Sequence, residues 1–558
     1  MDIGALLVKN GLITAEQLAE LRRRAEAEPG RSLIDLGLQA GLLEEREVLE
    51  LLGGMMGIPV VDLHDFSVPP DVLEMVPPRV VFRHGVLPIE RADGTLKVAT
   101  SDPFNAYALD EIEALTGCRV KPVLARRSEI DRLIKQHFGL GGETVSELVA
   151  EHSDVEYLEE TDELEAQLDE EARQPSVVRL VNEILLEAIE QRASDVHIES
   201  QESGLKLRYR IDGVLHRQPV PPEIDRFRSA IISRLKIMAR LNIAEKRLPQ
   251  DGRIKLRVKG REIDVRVSVI PMIHGEGLVL RILDKGGMEF DLRKLGMEPD
   301  TYATFRQLIK RPHGILLVTG PTGSGKTTTL YSALRDIRDE SIKIITIEDP
   351  VEYHLEGLNQ IQVHAKIGLT FAAGLRSILR HDPDVILVGE IRDLETAEIA
   401  IQASLTGHLV FSTLHTNDAA SAFVRLVDMG VEPYLVSSTV EAVMAQRLVR
   451  VLCSNCKEQY EPDRLDLPED FPYEEGMRLY RPVGCRECRN TGYRGRMGIF
   501  ELLVANDRIR ELTVERASAA VIAREARSAG MRTLREDGWI KVRNGWTTVE
   551  EVLRVAVV

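Results

Sequence analysis

The first 140 residues carry two kinds of hydrophobic pattern. Apolar positions in Ile3–Leu18 recur about 30 residues later in Leu33–Val48, which predicts a duplicated helical unit over residues 1–60. Beyond it, two short apolar runs flank the turn Ala92-Asp93-Gly94 and are followed by helical patterns. Residues 61–140 are therefore predicted to form a small α/β module.

A second mixed region covers residues 176–290. A helical pattern starts at Val178, and two alternating runs, Ile254–Val258 and Ile263–Val267, meet at Lys259-Gly260. This dipeptide between two strands favours a tight hairpin. The region is predicted to be another α/β domain.

Continuous apolar runs alternate with helical stretches in the next region, residues 291–445. Runs without polar interruption are typical of strands buried on both faces of a parallel sheet. The four runs are Ile315–Val318, Ile344–Ile347, Val385–Val388 and Leu409–Phe411. A cysteine-containing subdomain is expected over 446–500, and packed helices are expected over 501–558.

Composition narrows the class of protein. With 44% hydrophobic and 29% charged residues, the chain is typical of a soluble globular protein. No apolar run approaches the ~20 residues needed to span a bilayer, and the N-terminus lacks the layout of a signal peptide. We therefore expect a cytoplasmic location.

The negative charge is concentrated in one segment. The formal net charge is −17, yet 13 acidic residues and no Lys or Arg lie between Glu143 and Glu171, and without them the chain carries −4. Residues 141–175 are predicted to be a solvated acidic linker, with a partner-binding segment as the alternative. A neutral to acidic body argues against a specific nucleic-acid partner.

A phosphate-binding loop follows the first of the four apolar runs. Its candidate nucleotide-binding residues are Gly320, Pro321, Thr322, Gly323, Ser324, Gly325, Lys326, Thr327 and Thr328. The glycines let backbone N–H groups converge on phosphates, Lys326 reaches the terminal phosphates, and the Thr327 hydroxyl is placed to ligate Mg²⁺. This Walker A pattern, between a strand and a helix, predicts binding of ATP or GTP.

Two further runs end in carboxylates. Glu348 follows Ile344–Ile347, and Glu390 follows Val385–Val388 after one glycine. Ligands of open α/β sheets bind at the carboxyl ends of the strands. We expect Glu390 to serve the magnesium ion, with Thr327, and Glu348 to orient or deprotonate the attacking water. The alternative is that both acids simply face solvent.

Two histidines, His408 and His415, bracket the fourth run. Both are candidates for sensing the γ-phosphate. The alternative is that each is a packed, hydrogen-bonded histidine with a structural role.

Four cysteines form two close pairs, Cys453/Cys456 and Cys485/Cys488. This is the arrangement that a structural, tetrahedral Zn²⁺ site requires. Since no coordination position stays open, we assign no catalysis to this metal. Ordinary reduced cysteines are the alternative reading.

These motifs, with the acidic box Ile347–Glu352 and the Walker B-like segment Asp384–Asp393, resemble the secretion ATPases of the RecA-like superfamily. The resemblance runs from about residue 176 to 558. It implies a RecA-like P-loop ATPase core, preceded by a small PAS-like α/β domain. ATP and Mg²⁺ are the implied cofactors, with Zn²⁺ in a C-terminal subdomain.

The same resemblance implies that arginines matching Arg253 and Arg266 reach the nucleotide phosphates when the PAS-like domain closes. A cation at the γ-phosphate accelerates phosphoryl transfer by about 10³ to 10⁵. The alternative is that each arginine lies in a surface ion pair.

Within the family, Arg311–Leu317 and Arg425–Pro433 most resemble the type II secretion assembly ATPases, with the type IV pilus assembly ATPases as the alternative. The resemblance implies a homohexamer that docks its N-terminal domain on inner-membrane platform proteins. The resemblance also implies peripheral membrane association and a role in driving pseudopilus assembly. A DNA-translocating hexameric motor and a nucleotide-gated scaffold are the other hypotheses.

The N-terminal repeats resemble a module that in some relatives binds cyclic di-GMP. Asp2 and Ala25 stand where that module has Arg and Gln. A helical docking module is therefore the preferred interpretation.

Overall fold

The computed structural model describes residues 3–27, 33–64, 66–73, 75–138, 155–157, 175–284 and 290–556. They belong to two compact units, Met1–Asp284 and Lys285–Val558. Of the helices in the described ranges, none is both long and apolar enough to cross a membrane.

The first unit begins with two helix pairs. They are α1 (Ile3–Lys9) with α2 (Ala15–Ala27), and α3 (Leu33–Gln39) with α4 (Glu45–Met56). The first helix of each pair is followed by a glycine in the left-handed conformation, Gly11 at φ 75° and Gly41 at φ 67°, which glycine adopts without a steric cost. The sequence repeat is thus also a repeat of backbone structure.

A three-stranded sheet with four helices follows. Its elements are α5 (Pro70–Leu73), α6 (Pro78–His84), β1 (Val86–Ala92), β2 (Thr95–Thr100), α7 (Ala106–Thr116), β3 (Arg119–Leu124) and α8 (Arg127–Phe138). The predicted turn is present, because β1 and β2 are antiparallel around Asp93 and Gly94, both with positive φ. β3 then pairs with β2 in parallel after the crossover through α7.

The rest of the first unit is a larger antiparallel sheet with two helices. Its elements are β4 (Val155–Tyr157), α9 (Pro175–Glu190), β5 (Ala193–Gln201), β6 (Gly204–Ile211), β7 (Val214–Arg217), α10 (Arg228–Met238), β8 (Gln250–Val258), β9 (Arg261–Met272) and β10 (Gly275–Asp284). In the described residues the strand order is β4-β8-β9-β10-β5-β6-β7. The hairpin predicted at Lys259-Gly260 joins β8 and β9.

Part of the predicted acidic linker belongs to this sheet. β4 pairs with β8, with Val155 opposite Val258. Residues 139–154 and 158–174 lie outside the described ranges. The interpretation as a solvated linker is therefore corrected for residues 155–157, because their backbone groups extend the sheet edge.

One face of this sheet is apolar and the other is charged. The alternating residues Val196, Ile198, Leu256 and Val265 are buried with α9 and α10 in one core. The intervening positions carry arginines and acids, since successive side chains of a strand point to opposite faces.

The second unit is built on a sheet whose described strands run in the order β13-β12-β14-β15-β11-β16-β19. Its first elements are α11 (Pro299–Leu308), β11 (Gly314–Thr319), α12 (Lys326–Ile337), β12 (Ile344–Glu348), β13 (Asn359–Gln362), α13 (Phe371–Ile378), β14 (Val385–Val388), α14 (Leu394–Leu405), β15 (Leu409–Leu414), α15 (Ala420–Asp428) and α16 (Pro433–Thr439). Its remaining elements are β16 (Val440–Leu452), β17 (Glu458–Tyr460), β18 (Leu479–Arg481), β19 (Tyr493–Val504), α17 (Asp507–Val514), α18 (Ala519–Ser528), α19 (Leu534–Arg543) and α20 (Val549–Val555).

All four strands predicted from the apolar runs are present in this sheet. They are β11, β12, β14 and β15, and they are buried and mutually parallel. α11 and α12 pack on one face of the sheet, and α13 to α20 pack on the other. The sheet is thus covered on both faces, as continuous apolar runs require.

Two predicted domain boundaries fall inside strands of this sheet. β16 pairs in parallel with β11, and β19 pairs antiparallel with β16. The divisions at 445/446 and 500/501 would cut these ladders. The cysteine-containing segment is therefore an excursion between β16 and β19, two strands of the sheet of the second unit.

Candidate functional site

The phosphate-binding loop joins the buried strand β11 to helix α12. Gly320, Gly323 and Gly325 have φ values of 150°, 80° and 89°, a region in which side chains other than that of glycine are strained. A Cβ atom on Gly320 would lie 2.6 Å from the Gln446 carbonyl oxygen. α12 begins at Lys326, so its N-terminal N–H groups lie beside the loop, where phosphates bind.

The side chain of Lys326 lies within this loop. Its Nζ donates to the carbonyl oxygens of Gly320 at 2.7 Å and Pro321 at 3.1 Å. Burial lowers the pKa of Lys326 to about 8, against the opposing effect of the negative charge on Glu390. The Walker B-like carboxylate is thus close enough to act electrostatically on the phosphate-binding lysine.

The other loop residues differ in exposure. Pro321, Thr322 and Thr327 are exposed and Thr328 is half-buried, whereas Ser324 is buried. The Ser324 hydroxyl has no hydrogen-bond partner among the described residues. A buried polar atom without a partner at a phosphate loop fits a site that takes up an anion.

The two candidate carboxylates lie at different distances from the loop. β15 separates β14 from β11, and both β15 and β14 separate β12 from β11. With about 4.8 Å between neighbouring strands, the strand preceding Glu390 is about 10 Å from β11, and the strand of Glu348 is about 14 Å away. Glu390 is therefore nearer to the phosphate loop.

The partners of the two carboxylates also differ. Glu390 pairs with Arg392 and lies 3.2 Å from His415 Nε2. Glu348 is buried and accepts hydrogen bonds from the hydroxyls of Tyr331 and Thr346. The first acid is thus held by cationic or titratable groups, and the second by neutral donors.

The two candidate histidines do not lie together. His415 follows β15 at the carboxyl edge, beside Glu390. His408 precedes β15, and its Nδ1 lies 2.8 Å from the carbonyl oxygen of Ala403. Six strand residues place the two histidines about 20 Å apart. The expectation that both approach one γ-phosphate is therefore wrong within a single chain.

The candidate arginines lie on the charged face of the large sheet in the first unit. Arg253 on β8 is directly opposite Arg266 on β9. Arg253 is half-exposed, and its Nε lies 3.8 Å from Asp264. The two side chains share a face that is turned away from the core of their own domain.

Residues of β16 support the loop although no motif pointed to them. Gln446 accepts a hydrogen bond from Thr329 of α12 at 2.7 Å. Arg447 donates to the carbonyl oxygen of Asn417 at 3.0 Å, and burial lowers its pKa. The sequence signal is weak, because Gln446 and Arg447 are only two of the four polar residues in Val440–Leu452, the others being Glu441 and Arg450.

The four cysteines of the second unit converge. Their sulfur atoms all lie within 4.8 Å of one another, and the pairs Cys453/Cys485 and Cys456/Cys488 are each 3.7 Å apart. Four sulfurs at ~2.3 Å from a tetrahedral zinc ion are about 3.8 Å apart. The donor set and spacing therefore fit a metal ion.

Backbone N–H groups donate to two of the four clustered sulfurs. Cys488 Sγ accepts from the N–H groups of Cys485 at 3.1 Å and Gly492 at 3.2 Å, and Cys456 Sγ accepts from Gly484 at 3.3 Å. Burial raises the pKa of Cys453, and it raises the pKa of Cys456 to about 12. At Cys488 the N–H donors outweigh burial and lower the pKa to about 7. Thiolate is the form that binds metal.

Similarity to known proteins extends over nearly the whole chain. Residues 170–554 match the family described as "Type II/IV secretion system protein", and residues 56–144 match the MshEN domain. The chain is 48% identical to the type II secretion system protein E of Xanthomonas campestris pv. campestris, covering 96% of this chain and 94% of that protein. It is 44% identical to the type IV pilus assembly ATPase PilB of Myxococcus xanthus, covering 99% and 98%.

Among solved structures, the X-ray structure of the Legionella pneumophila ATPase DotB is similar, with a TM-score of 0.50 and 21% identity. The match covers 67% of this chain and 95% of DotB. At this identity the likeness concerns the fold alone.

Proposed function

Since the chain belongs to the Type II/IV secretion system protein family, we propose that it hydrolyses ATP to power type II protein secretion. It would do so by driving pseudopilus assembly from the cytoplasmic side of the inner membrane. The observation that carries this proposal is the placement of the phosphate loop, Lys326 and Glu390 after parallel strands of one sheet, at its carboxyl edge, in a chain 48% identical to a type II secretion system protein E.

In the proposed reaction, loop N–H groups and Lys326 bind the phosphates of ATP. Thr327 and Glu390 would hold Mg²⁺, which would neutralise charge on the transferring phosphoryl group. Glu348 is assigned to the attacking water, because an ordered carboxylate at the same sheet edge can orient it. His415 contacts the Glu390 carboxylate and is assigned to its orientation.

Arg253 and Arg266 are proposed to act on the nucleotide of a neighbouring subunit in a homohexamer. Their shared outward face supports this assignment, because a guanidinium group that is accessible on a domain surface can bind two phosphate oxygens at once. Motion of the domain that carries Arg253 and Arg266 would then be linked to hydrolysis, because it would bring these two cations to the γ-phosphate.

A mixed oligomer tests this assignment. Arg253→Ala and Lys326→Ala should each lower the ATPase rate by at least about a hundredfold when assayed alone. Mixed before assembly, they should regain part of the activity, because a Lys326→Ala subunit can offer its intact Arg253 to a neighbour with an intact phosphate loop. The measurement is phosphate release at fixed total protein. No recovery at any mixing ratio would contradict action between subunits.

The N-terminal modules are proposed to dock on inner-membrane platform proteins, giving peripheral membrane association. The match of residues 56–144 to the MshEN domain supports an interaction module. Asp2 and Ala25 replace the Arg and Gln of the module that binds cyclic di-GMP, which favours a docking role without nucleotide binding. Asp2 and the side chain of Ala25 lie outside the described residues.

Type IV pilus assembly is the second candidate, favoured by the 44% identity to PilB of Myxococcus xanthus over 99% of this chain. Deleting the gene in the organism that encodes the chain separates the two. We expect exoproteins to disappear from the culture supernatant while surface pili and twitching persist. Loss of pili with normal secretion would replace the first proposal by the second.

A further inference from the structure

Tyr331 connects the phosphate-binding helix to a carboxylate on β12, which two other strands separate from the loop strand β11. It lies on α12, which begins at Lys326, and its side chain is fully buried. Its hydroxyl donates to the carboxylate of Glu348 at the end of β12. The helix that carries the phosphate-binding lysine therefore also carries a hydrogen-bond donor to the second acid.

Two aromatic rings fix the ring of Tyr331. The Phe290 and Tyr331 centroids are 5.4 Å apart at 68°, and those of Tyr331 and Tyr353 are 6.5 Å apart at 83°. Edge-to-face packing in a buried core restricts the ring to one orientation. The hydroxyl is therefore held at a defined position.

Only neutral donors surround the Glu348 carboxylate. Besides Tyr331, the Thr346 hydroxyl donates at 2.6 Å and the Gln360 amide donates at 3.2 Å. Across the described ranges no Lys, Arg or His nitrogen forms an ion pair with Glu348. Because buried polar atoms need hydrogen-bond partners, these three donors hold the Glu348 carboxylate in one orientation.

The Tyr331 hydroxyl is the donor in its contact with Glu348. Burial and then the negative charge of Glu348 raise the pKa of the Tyr331 hydroxyl. Tyr331 is therefore a permanent donor, and Glu348 is an acceptor with one fixed orientation.

We propose that Tyr331 is a positioning residue for ATP hydrolysis, which holds the Glu348 carboxylate in one orientation through the buried hydroxyl–carboxylate contact between α12 and β12. The inference rests on the proposed function, in which Glu348 orients the attacking water. It assigns Tyr331 no contact with the nucleotide.

Tyr331→Phe tests the inference, because it removes the hydroxyl and keeps the aromatic packing. In the full chain we expect kcat to fall about tenfold or more, with unchanged affinity for a fluorescent ATP analogue. The acid limb of the kcat profile should move to higher pH, because loss of a donor to the charged form raises the pKa of a carboxylate. General damage to α12 would instead weaken nucleotide binding, since the same helix carries Lys326.

Two further variants distinguish a positioning role of Tyr331 from a general effect of losing a buried hydroxyl. Thr346→Val removes another donor from the same carboxylate without altering α12, and it should lower kcat and move the acid limb in the same direction. Tyr209→Phe is the matched control, because it removes a buried tyrosine hydroxyl that donates to the Ile184 carbonyl oxygen at 2.8 Å in the first unit. It should lower stability without changing the pH profile.

The outcomes separate the inference from the proposed function. If Glu348→Gln abolishes turnover while Tyr331→Phe and Thr346→Val keep the wild-type kcat and pH profile, the positioning role is wrong and the role of Glu348 stands. If Glu348→Gln hydrolyses ATP at the wild-type rate, the proposed function of Glu348 fails, and the inference fails with it.

Discussion

Replacing Lys326 with alanine should lower the rate of ATP hydrolysis by about 10²- to 10³-fold, the effect of removing one positioned donor from a transition-state site. Lys326 lies in the loop with its Nζ on the carbonyl oxygens of Gly320 and Pro321. Triphosphate oxygens are stronger acceptors than these carbonyls, since the hydrogen bond would join two charged groups. The measurement is steady-state phosphate release at saturating Mg²⁺ and ATP.

The matched control is Lys310→Ala, which removes a lysine from an exposed position before β11. This end of the strand is opposite the phosphate loop, so the control should hydrolyse ATP at the wild-type rate. A Lys326→Ala protein with wild-type turnover would contradict the assignment of residues 320–328 to the nucleotide. Direct binding of labelled ATP separates a lost binding step from a slowed chemical step.

The central strands of the second unit could be predicted because their signal is local. A strand buried on both faces, such as Ile315–Val318, needs an uninterrupted apolar run, and that run is visible without knowledge of its partners. β16 and β19 are different, because polar residues such as Gln446 and Arg447 interrupt their apolar pattern. β16 is a strand through pairing with β11, which lies more than a hundred positions earlier in the chain, and β19 is a strand through pairing with β16 across the cysteine-containing segment.

The candidate site likewise contains residues that short sequence patterns predict and residues that depend on tertiary packing. The glycine spacing of the phosphate loop and the paired cysteines are short patterns with a direct chemical meaning, so both could be proposed from the sequence. The supporting contacts of Tyr331 and Gln446 depend on how α12 lies on the sheet, which no short pattern encodes. The position of His408 follows from the same local signal, because parallel pairing of β15 with β11 puts the residue before β15 at the edge opposite the loop.

Removal of the metal from the cysteine cluster should destabilise the C-terminal part of the second unit. We propose that the metal is Zn²⁺, at about one ion per chain, and that Cys485→Ser abolishes its binding. Structural zinc contributes about 10–16 kcal/mol to the folding of small zinc-finger peptides. In a larger sheet we expect a smaller loss, at the level of several kcal/mol, seen as a lower unfolding temperature and as faster proteolysis after residue 452.

Loss of the metal should have this destabilising effect because the cysteine cluster connects three segments of the second unit. The N–H group of Cys453 donates to the Gly492 carbonyl oxygen at 2.9 Å, and that of Leu452 donates to the Trp546 carbonyl oxygen at 2.8 Å. The site thus lies where the end of β16, the start of β19 and the segment before α20 meet. Loosening this end of β16 should also weaken the support that Gln446 gives to the phosphate loop.

Cys118→Ser is the matched control for the zinc prediction. Cys118 is a buried cysteine in the first unit, so its substitution removes one thiol and leaves the four clustered sulfurs intact. Elemental analysis of protein purified under reducing conditions should find zinc in the wild type and in Cys118→Ser, and none in Cys485→Ser. Wild-type protein without zinc, or a Cys485→Ser protein with wild-type zinc content and unfolding temperature, would show that the four thiols pack as ordinary buried cysteines. The ends of β16 and β19 would then be held by their backbone hydrogen bonds alone.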